Sequence, residues 1–248
     1  MKSRIIAKVL IRNGQVVNGY QFDTFRPVGS LKYTISRLQE WQVDEILVLN
    51  TTHSEKPSLD FLNLFNDSVL QEIDTPISYG GGIRNLAEAH KIISLGSERI
   101  VLSSTVTSDS GFLLNLRDSL GDQSIILHHP FTIKSDTEYL TQQVCLNNIK
   151  SNLPINWDGE LLYTDVLHDG SYSSRLNLLS RFDLTTQPIK TIIGGGFTSI
   201  EEIALALNSK QFSGVVIGNL FNRIENPIMP LKVNADLNIR PYRMGVKL

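Results

Sequence analysis

The chain contains the same glycine triplet twice, in two similar neighbourhoods. Gly80–Gly82 ends a strand-like run that starts at Pro76, and Gly194–Gly196 ends a comparable run that starts at Lys190. Each triplet is followed by a helix-like segment with acidic residues and alanine, and then by a second strand-like run that ends in small polar residues. A repeated strand–helix–strand unit restricts the chain to folds that are built from two similar halves.

The two triplets also suggest a ligand. Glycines at the end of a strand let backbone N–H groups approach an anion, and the N-terminus of the following helix adds a favourable dipole. One such loop is a weak signal. Two loops at the same position of a repeat predict a ligand with two phosphate groups.

Length and composition indicate one globular domain that spans residues 1–248. The chain is 41% hydrophobic and 19% charged, and its length is typical of a single α/β barrel. The net charge of −2 and the lack of a basic block predict no nucleic-acid partner. Cys145 is the only cysteine, so we expect no internal disulfide, and we predict no metal or cofactor. The sequence has no long apolar run, so we expect no membrane segment and a cytoplasmic location.

Short β-branched runs alternate with amphipathic stretches along most of the chain. The predicted strands are Arg4–Ile11, Glu45–Asn50, Pro76–Gly80, Arg99–Ser103, Ser124–His129, Glu160–Val166, Lys190–Gly194 and Gly214–Gly218. The predicted helices are Ser30–Trp41, Ser58–Ile73, Asn85–Leu95, Ser108–Leu120, Ser173–Arg181 and Ser199–Leu207. This pattern predicts an α/β fold, a single (β/α)₈ TIM barrel with a two-fold half-barrel repeat, whose ligand loops lie at the C-terminal strand ends. A doubly wound open sheet is the alternative.

Two stretches do not follow the pattern. Residues 132–158 show a hairpin-like segment near Ile133 and only a weak helical pattern before Pro154. After Asn226 the chain is rich in proline, and we expect no helix there beyond a short turn near Phe221.

Four segments resemble the cyclase subunit of imidazole glycerol phosphate synthase. They are Arg4–Gly19, Tyr79–Ile83, His168–Ser171 and Ile193–Gly196. The resemblance extends from the first strand to about Phe221, and the segment after the fifth strand is shorter here. It implies a barrel that receives ammonia from a glutaminase bound at its N-terminal face and passes it to a bisphosphate substrate at the C-terminal face.

The resemblance also implies a set of phosphate-binding positions on the loops of the C-terminal face. They correspond to Gly82, Ser103, Ser104, Asp169, Gly170, Gly196, Gly218 and Asn219. These positions include both glycine loops that the repeat identifies independently.

The catalytic positions of the family are changed in this chain. The two aspartates that serve as general acid and base correspond to Leu10 and Pro130, neither of which can exchange a proton. The lysine of the family's mobile loop corresponds to Asn18, and the aspartate at the end of the second strand corresponds to Asn50. These replacements predict that the standard cyclase chemistry is absent.

At the opposite end of the barrel, the resemblance implies an ammonia gate made of two basic and two acidic residues. They are Arg4, Glu45, Arg99 and Glu160, at the starts of strands one, two, four and six. Alternating charges around a narrow opening attract one another. A salt-bridged barrel bottom without any gating role is the alternative.

Strand alternation places further polar residues inside the barrel. If Arg4 points inward, Lys8 does too, and His128 lies at a similar height on the fifth strand. Lys8 and His128 are therefore weak catalytic candidates, together with Asn50. Other interpretations are open: the two residues form a polar pair in the conduit, a bulge reverses the alternation, or Lys8 pairs with an acid on another strand.

The sequence leaves three functions open. The first is a divergent paralogue that delivers ammonia from a glutaminase to another phosphorylated or sugar acceptor. In this it is similar to the branch of the family linked to polysaccharide sugar amidation, which also has a leucine at the position of Leu10. The second is a genuine cyclase of histidine biosynthesis with relocated catalytic groups. The third is a non-catalytic barrel that activates a partner or senses a phosphorylated ligand.

Overall fold

A computed structural model describes residues 2–52, 55–65, 73–103, 110–131, 157–172, 190–209, 211–234 and 236–242. Eight parallel strands within these residues form the barrel: β1 (Arg4–Arg12), β4 (Glu45–Asn50), β5 (Ile77–Gly80), β6 (Arg99–Leu102), β7 (Ile125–Phe131), β8 (Glu160–Asp165), β9 (Lys190–Gly194) and β10 (Gly214–Ile217). The helices are α1 (Leu31–Glu40), α2 (Pro57–Leu64), α3 (Leu86–Ser94), α4 (Ser110–Leu120), α5 (Ile200–Asn208) and α6 (Ile228–Val233).

The barrel is closed. β1 pairs with β10, with Arg4 opposite Gly214, and on its other side β1 pairs with β4, with Ile6 opposite Glu45. Because the first and last of these eight strands pair, the barrel itself has no open edge. The predicted (β/α)₈ barrel is therefore confirmed, and the doubly wound open sheet is wrong.

The two halves begin their glycine-loop helices in the same way. Asn85 caps α3 by accepting a hydrogen bond from the backbone N–H of Glu88, and Ser199 caps α5 by accepting one from Glu202. Asparagine and serine favour this position because their side-chain oxygens satisfy N–H groups that the helix leaves free. The cap thus fixes where each helix starts relative to its glycine triplet.

Side chains alternate along the strands as the sequence predicts. On β1, Ile5, Ala7, Val9 and Ile11 pack outward against the helices. The inward-facing side chains form a separate cluster, the aliphatic layer, whose buried members are Ile6, Leu47, Val101, Ile126, Leu162, Ile192 and Val216. This layer fills the middle of the barrel and separates its two ends.

A β-hairpin lies between β1 and α1, where no strands were predicted. β2 (Gln15–Tyr20) pairs antiparallel with β1, and β3 (Thr24–Gly29) pairs with β2. The turn between β1 and β2 uses Asn13 and Gly14, with φ angles of 51° and 76°. Asn-Gly between two apolar runs is a strong hairpin signal, so this element was readable from the sequence.

The C-terminal region contains a helix, α6, that the sequence analysis did not predict. Its Lys232 donates from Nζ to Asp44 Oδ1 at 2.8 Å, and Asp44 Oδ2 accepts from the backbone N–H of Ile5 at 2.8 Å. Both side chains are almost fully buried. Since Lys232 lies 188 residues after Asp44, this contact is invisible to local sequence patterns.

Other predicted elements fall partly or wholly beyond the described residues. The second predicted helix is observed over Pro57–Leu64. The helix predicted over Ser173–Arg181, the hairpin-like segment near Ile133 and Cys145 lie outside the described residues. Among the helices that are described, none combines the length and apolar character needed to cross a bilayer.

Candidate functional site

A cavity of about 410 Å³ opens at the C-terminal ends of the barrel strands. Its deep part is lined by Lys8, His128 and Thr164, which lie above the aliphatic layer. The β2–β3 hairpin contributes Phe22 and Phe25 to its wall. The remaining side is formed by the first glycine loop and the ends of the neighbouring strands.

The last two glycines of both triplets have positive φ angles. Gly81 and Gly82 have φ angles of 129° and 74°, and a Cβ atom on Gly81 would lie 2.3 Å from the carbonyl oxygen of Asn50. Gly195 has a φ angle of 84°, and its Cβ would lie 2.5 Å from the carbonyl oxygen of Asp165. Only glycine fits such positions without strain. The sequence repeat is therefore also a structural repeat.

The predicted phosphate-binding residues are divided between two cavities. Gly82 and Ser103 line the large cavity. Gly170, Gly196, Gly218 and Asn219 line a small cavity of about 10 Å³. Asp169 lines both, and Ser104 lies outside the described residues. Phosphate binding at these loops stays a prediction.

Lys8 pairs with Asp169, an acid on the loop that follows β8. Lys8 Nζ lies 2.5 Å from Asp169 Oδ1, and the two side chains are only 5% and 7% exposed. A Cβ atom on Gly218 would lie 2.9 Å from Lys8 Cε, so the glycine at this position leaves room for the lysine side chain. Of the predicted arrangements, the geometry supports the pairing of Lys8 with an acid and not the pairing of Lys8 with His128.

His128 instead lies 2.9 Å from Thr164, measured from ring Nε2 to Oγ1. Burial is the main cause that lowers the pKa of His128 to about 3, and the positive charge of Lys8 and the neighbouring His129 add to it. The ring is therefore neutral at ordinary pH. A neutral imidazole can accept or donate a hydrogen bond, but it does not supply a positive charge to the cavity.

We expect His128 to stay neutral at every pH from about 5 to 8. Its folded pKa is depressed, so the stability linked to it is complete above the ordinary value of 6.5 and is lost as the pH falls from 6.5 towards about 3. Ring resonances of ¹⁵N-labelled protein, assigned with a His128→Gln variant, measure this directly. A titration midpoint near 6.5 would show that the ring is not desolvated.

Asn50 is held by contacts outside the barrel interior. Its Nδ2 donates to Asp60 Oδ2 at 3.1 Å and to the hydroxyl of Tyr79 at 3.4 Å, and its Oδ1 accepts from the backbone N–H of Thr52 at 3.0 Å. These bonds use the amide to fix the end of β4. The geometry favours a structural role over a catalytic role for Asn50.

The other changed family positions offer no proton-transfer group. Leu10 lines the large cavity, and Pro130 lies on β7 opposite Thr164 of β8. Asn18 Oδ1 accepts a hydrogen bond from Asn222 Nδ2 at 2.7 Å, which ties the hairpin to the loop after β10.

At the opposite end of the barrel, the four residues of the predicted gate form one connected network, the charged ring. Arg4 lies 3.3 Å from Glu45 and 2.5 Å from Glu160, and Arg99 contacts both carboxylates. All four side chains are at most 16% exposed. The ion pairs are present, while gating stays a prediction.

Two serines complete the charged ring, and the sequence analysis did not find them. Ser78 donates to Glu45 at 2.5 Å, and Ser213 donates to Glu160 at 2.8 Å. Burial by itself raises the pKa of Glu160, but hydrogen bonds and charges from Arg4 and Arg99, with the Ser213 hydroxyl, lower it overall. Glu160 is therefore held as a carboxylate between two arginines.

Further charged residues surround the C-terminal face without having been predicted. Arg12 and Arg84 line the large cavity, and Arg223 lines the small cavity. His168 Nδ1 lies 2.7 Å from Asp165 Oδ2, and Asp165 is fully buried. Within the described part of the chain, no group of three histidine, cysteine, aspartate or glutamate residues could hold a metal ion.

A closed parallel barrel with glycine loops and a cavity at its C-terminal strand ends defines a (β/α)₈ barrel whose cavity lies at the face where such barrels bind ligands. The model of the histidine biosynthesis protein family matches residues 4–225. The chain belongs to this family, which confirms the resemblance to cyclase subunits.

Individual relatives match over most of their own length. A protein of Campylobacter jejuni with the provisional name imidazole glycerol phosphate synthase subunit HisF2 is 30% identical, over 84% of this chain and 85% of that protein. A provisionally named subunit HisF of Leptospira interrogans is 26% identical, over 89% and 90%. The imidazole glycerol phosphate synthase subunit HisF of Dehalococcoides mccartyi is 25% identical, over 90% of each chain.

Proposed function

We propose that this chain receives ammonia from a glutaminase subunit at the N-terminal face of its barrel and delivers it to a phosphorylated or sugar acceptor in the large cavity. The charged ring, the aliphatic layer and the cavity lie in sequence along the barrel axis, and this alignment is the main support for the proposal. Relatives named as synthase subunits support a partner protein.

The interior suits ammonia better than ammonium. An aliphatic layer imposes a large desolvation cost on a charged ion and a much smaller cost on a small neutral molecule. The charged ring separates this layer from solvent at the bottom, and Lys8, His128 and Thr164 lie beyond it at the top. A neutral nitrogen source that enters at the ring would emerge beside these polar groups.

The changed residues argue against the standard cyclisation. Leu10 stands at one of the two acid–base positions and faces the cavity with an aliphatic side chain, and Pro130 stands at the other. A genuine cyclase remains the second candidate, because relatives such as the Dehalococcoides mccartyi protein carry the synthase name.

Stimulation of a glutaminase tests the proposal. Mixed with a glutaminase of the imidazole glycerol phosphate synthase type, the chain should increase glutamate formation about 10-fold or more, the usual scale of coupling between sites. A Glu45→Ala, Glu160→Ala double variant should lose this effect because the arginines of the ring lose their partners. Glu45→Gln alone is a milder change that tests the same ring.

Asp158→Asn is the matched control, because it removes an exposed acid near the same end of the barrel. A stimulation that is unchanged in the double variant would refute the role of the ring. A lack of any complex between the two proteins, judged by size-exclusion chromatography, would refute the partner.

A further inference from the structure

The C-terminal face of the barrel is divided into two unequal compartments. The large cavity contains the first glycine loop and measures about 410 Å³, whereas the small cavity contains the second loop and measures about 10 Å³. Asp169 lines both, and its ion pair with Lys8 crosses from β1 to the loop after β8. The Lys8–Asp169 pair therefore lies between the two glycine loops.

Donors around the small cavity are already used by the protein. Asn219 Nδ2 donates to the carbonyl oxygen of Gly19 at 2.9 Å, and Arg223 donates to the carbonyl oxygens of Gly170 and Ser171 at 2.7 and 3.3 Å. The β2–β3 hairpin is also close, since a Cβ atom on Gly170 would lie 2.0 Å from Gly19 O. A phosphate at this loop would have to displace these contacts.

The large cavity has the opposite character. Arg84 follows the first glycine triplet, is exposed, and forms no hydrogen bond or ion pair with any described residue. Arg12 stacks on the ring of Phe25, with its guanidinium carbon 4.3 Å from the ring centroid. The guanidinium group has no carboxylate partner among the described residues. Two cations that have no carboxylate partner in the described part of the chain, beside an open glycine loop, favour an anion there.

The carboxylate of Asp169 adds to this asymmetry. One of its oxygens accepts from Lys8, while Oδ2 is buried and has no hydrogen-bond partner among the described residues. Lys8 is held by this carboxylate, so its ammonium group is already paired and is not free for a phosphate at the second glycine loop. The two loops, similar in backbone shape, thus differ in the space beside them and in whether the nearby donors are already bonded within the protein.

We infer that the site takes a ligand that is phosphorylated at one end only. Its phosphate binds at Gly81–Gly82 and Arg84, and its ring-shaped body packs against Leu10, Phe22 and Phe25. The Lys8–Asp169 pair determines this specificity because it lies between the two glycine loops, so a bisphosphate binds through one phosphate and its second phosphate does not reach the second loop. The inference rests on the proposed function only in taking this ligand to be the acceptor of ammonia.

Calorimetric titration of the full chain with ribose 5-phosphate, and with the bisphosphate ribonucleotide that the cyclase family uses, tests the inference. Arg84→Ala should weaken the binding of both ligands about 10-fold or more, the scale of a charge-assisted hydrogen bond. Arg223→Met, the matched change at the small cavity, should alter both by less than about twofold, since contacts to a single loop carry the binding.

A second variant tests the role of the pair directly. Replacing Lys8 and Asp169 together by alanine should raise the affinity for the bisphosphate about 10-fold or more relative to ribose 5-phosphate, because a second phosphate contact becomes available within the same ligand. If this variant does not fold, the comparison of Arg84→Ala with Arg223→Met still decides.

Three results would overturn the inference. They are equal losses in the Arg84 and Arg223 variants, no relative gain for the bisphosphate in a folded double variant, and no saturable binding of ribose 5-phosphate. The titrations need neither glutaminase nor ammonia, so a result that overturns the binding inference does not bear on the predicted stimulation of the glutaminase. A failure of that stimulation likewise leaves the binding result intact.

Discussion

Given excess ammonium salt, the purified chain should convert the bisphosphate ribonucleotide of the cyclase family at least about 100-fold more slowly than a working cyclase does. A factor of about 100 is the lower end of the rate loss expected when general acid–base catalysis is removed. By the resemblance, Leu10 and Pro130 correspond to the two aspartates of the family, and neither side chain can exchange a proton. Ammonium salt supplies ammonia directly, so the result does not depend on a glutaminase. A working cyclase in the same assay is the positive control.

Turnover near the rate of that control would contradict the proposed function. It would mean that the chemistry has moved to other residues, and Lys8 and His128 would be the first to replace. Lys8→Met would then separate a catalytic lysine from a structural one. His128 is neutral at ordinary pH, so it is the weaker candidate for a general acid that donates a proton from its charged form.

Glu160→Gln should lower the free energy of unfolding by about 3–5 kcal/mol, the usual cost of breaking a buried ion pair from one side. The amide keeps the shape of the side chain but leaves Arg4 and Arg99 with Glu45 as their shared carboxylate. Asp158→Asn is the matched control, because it removes an acid that is 66% exposed and pairs with a partly exposed lysine. That change should cost less than about 1 kcal/mol.

The difference between wild type and Glu160→Gln should depend on pH. The folded pKa of Glu160 is lowered from the ordinary value of 4.5, so its contribution to stability is complete above pH 4.5 and is lost as the pH falls through the folded pKa. Urea unfolding of both proteins between about pH 3 and 7 measures this. A cost no larger than that of Asp158→Asn would show that the charged ring adds little to stability.

Much of the barrel could be predicted from local sequence. The eight β-branched runs and the two glycine triplets identify strands and their C-terminal ends, because strand periodicity and glycine loops are encoded within a few residues. The inward position of Arg4, Ile6 and Lys8 follows from the same alternation. The Asn13–Gly14 turn shows that the hairpin was also readable and was missed.

Partners across the barrel were not predictable. Lys8 and Asp169 are 161 residues apart, and whether Lys8 meets Asp169, His128 or another acid depends on how the loop after β8 folds back over the barrel mouth. α6 is held through Lys232 and Asp44, which are 188 residues apart. Ser78 joins the charged ring because β5 lies beside β4 and Glu45, and Ser213, just before β10, reaches Glu160 of β8 past the intervening β9.

The sequence by itself predicted the barrel, the family and the paired glycine loops, since each is a property of residues close together in the chain. That Leu10 and Pro130 replace the two acid–base aspartates stays a prediction from the resemblance. Only the tertiary structure decided that the two glycine loops differ. Their glycines share positive φ angles, but the cavity at the first loop measures about 410 Å³ and the cavity at the second about 10 Å³, where Asn219 donates to Gly19 of the hairpin. That difference arises from contacts between distant segments, which form only when the barrel closes.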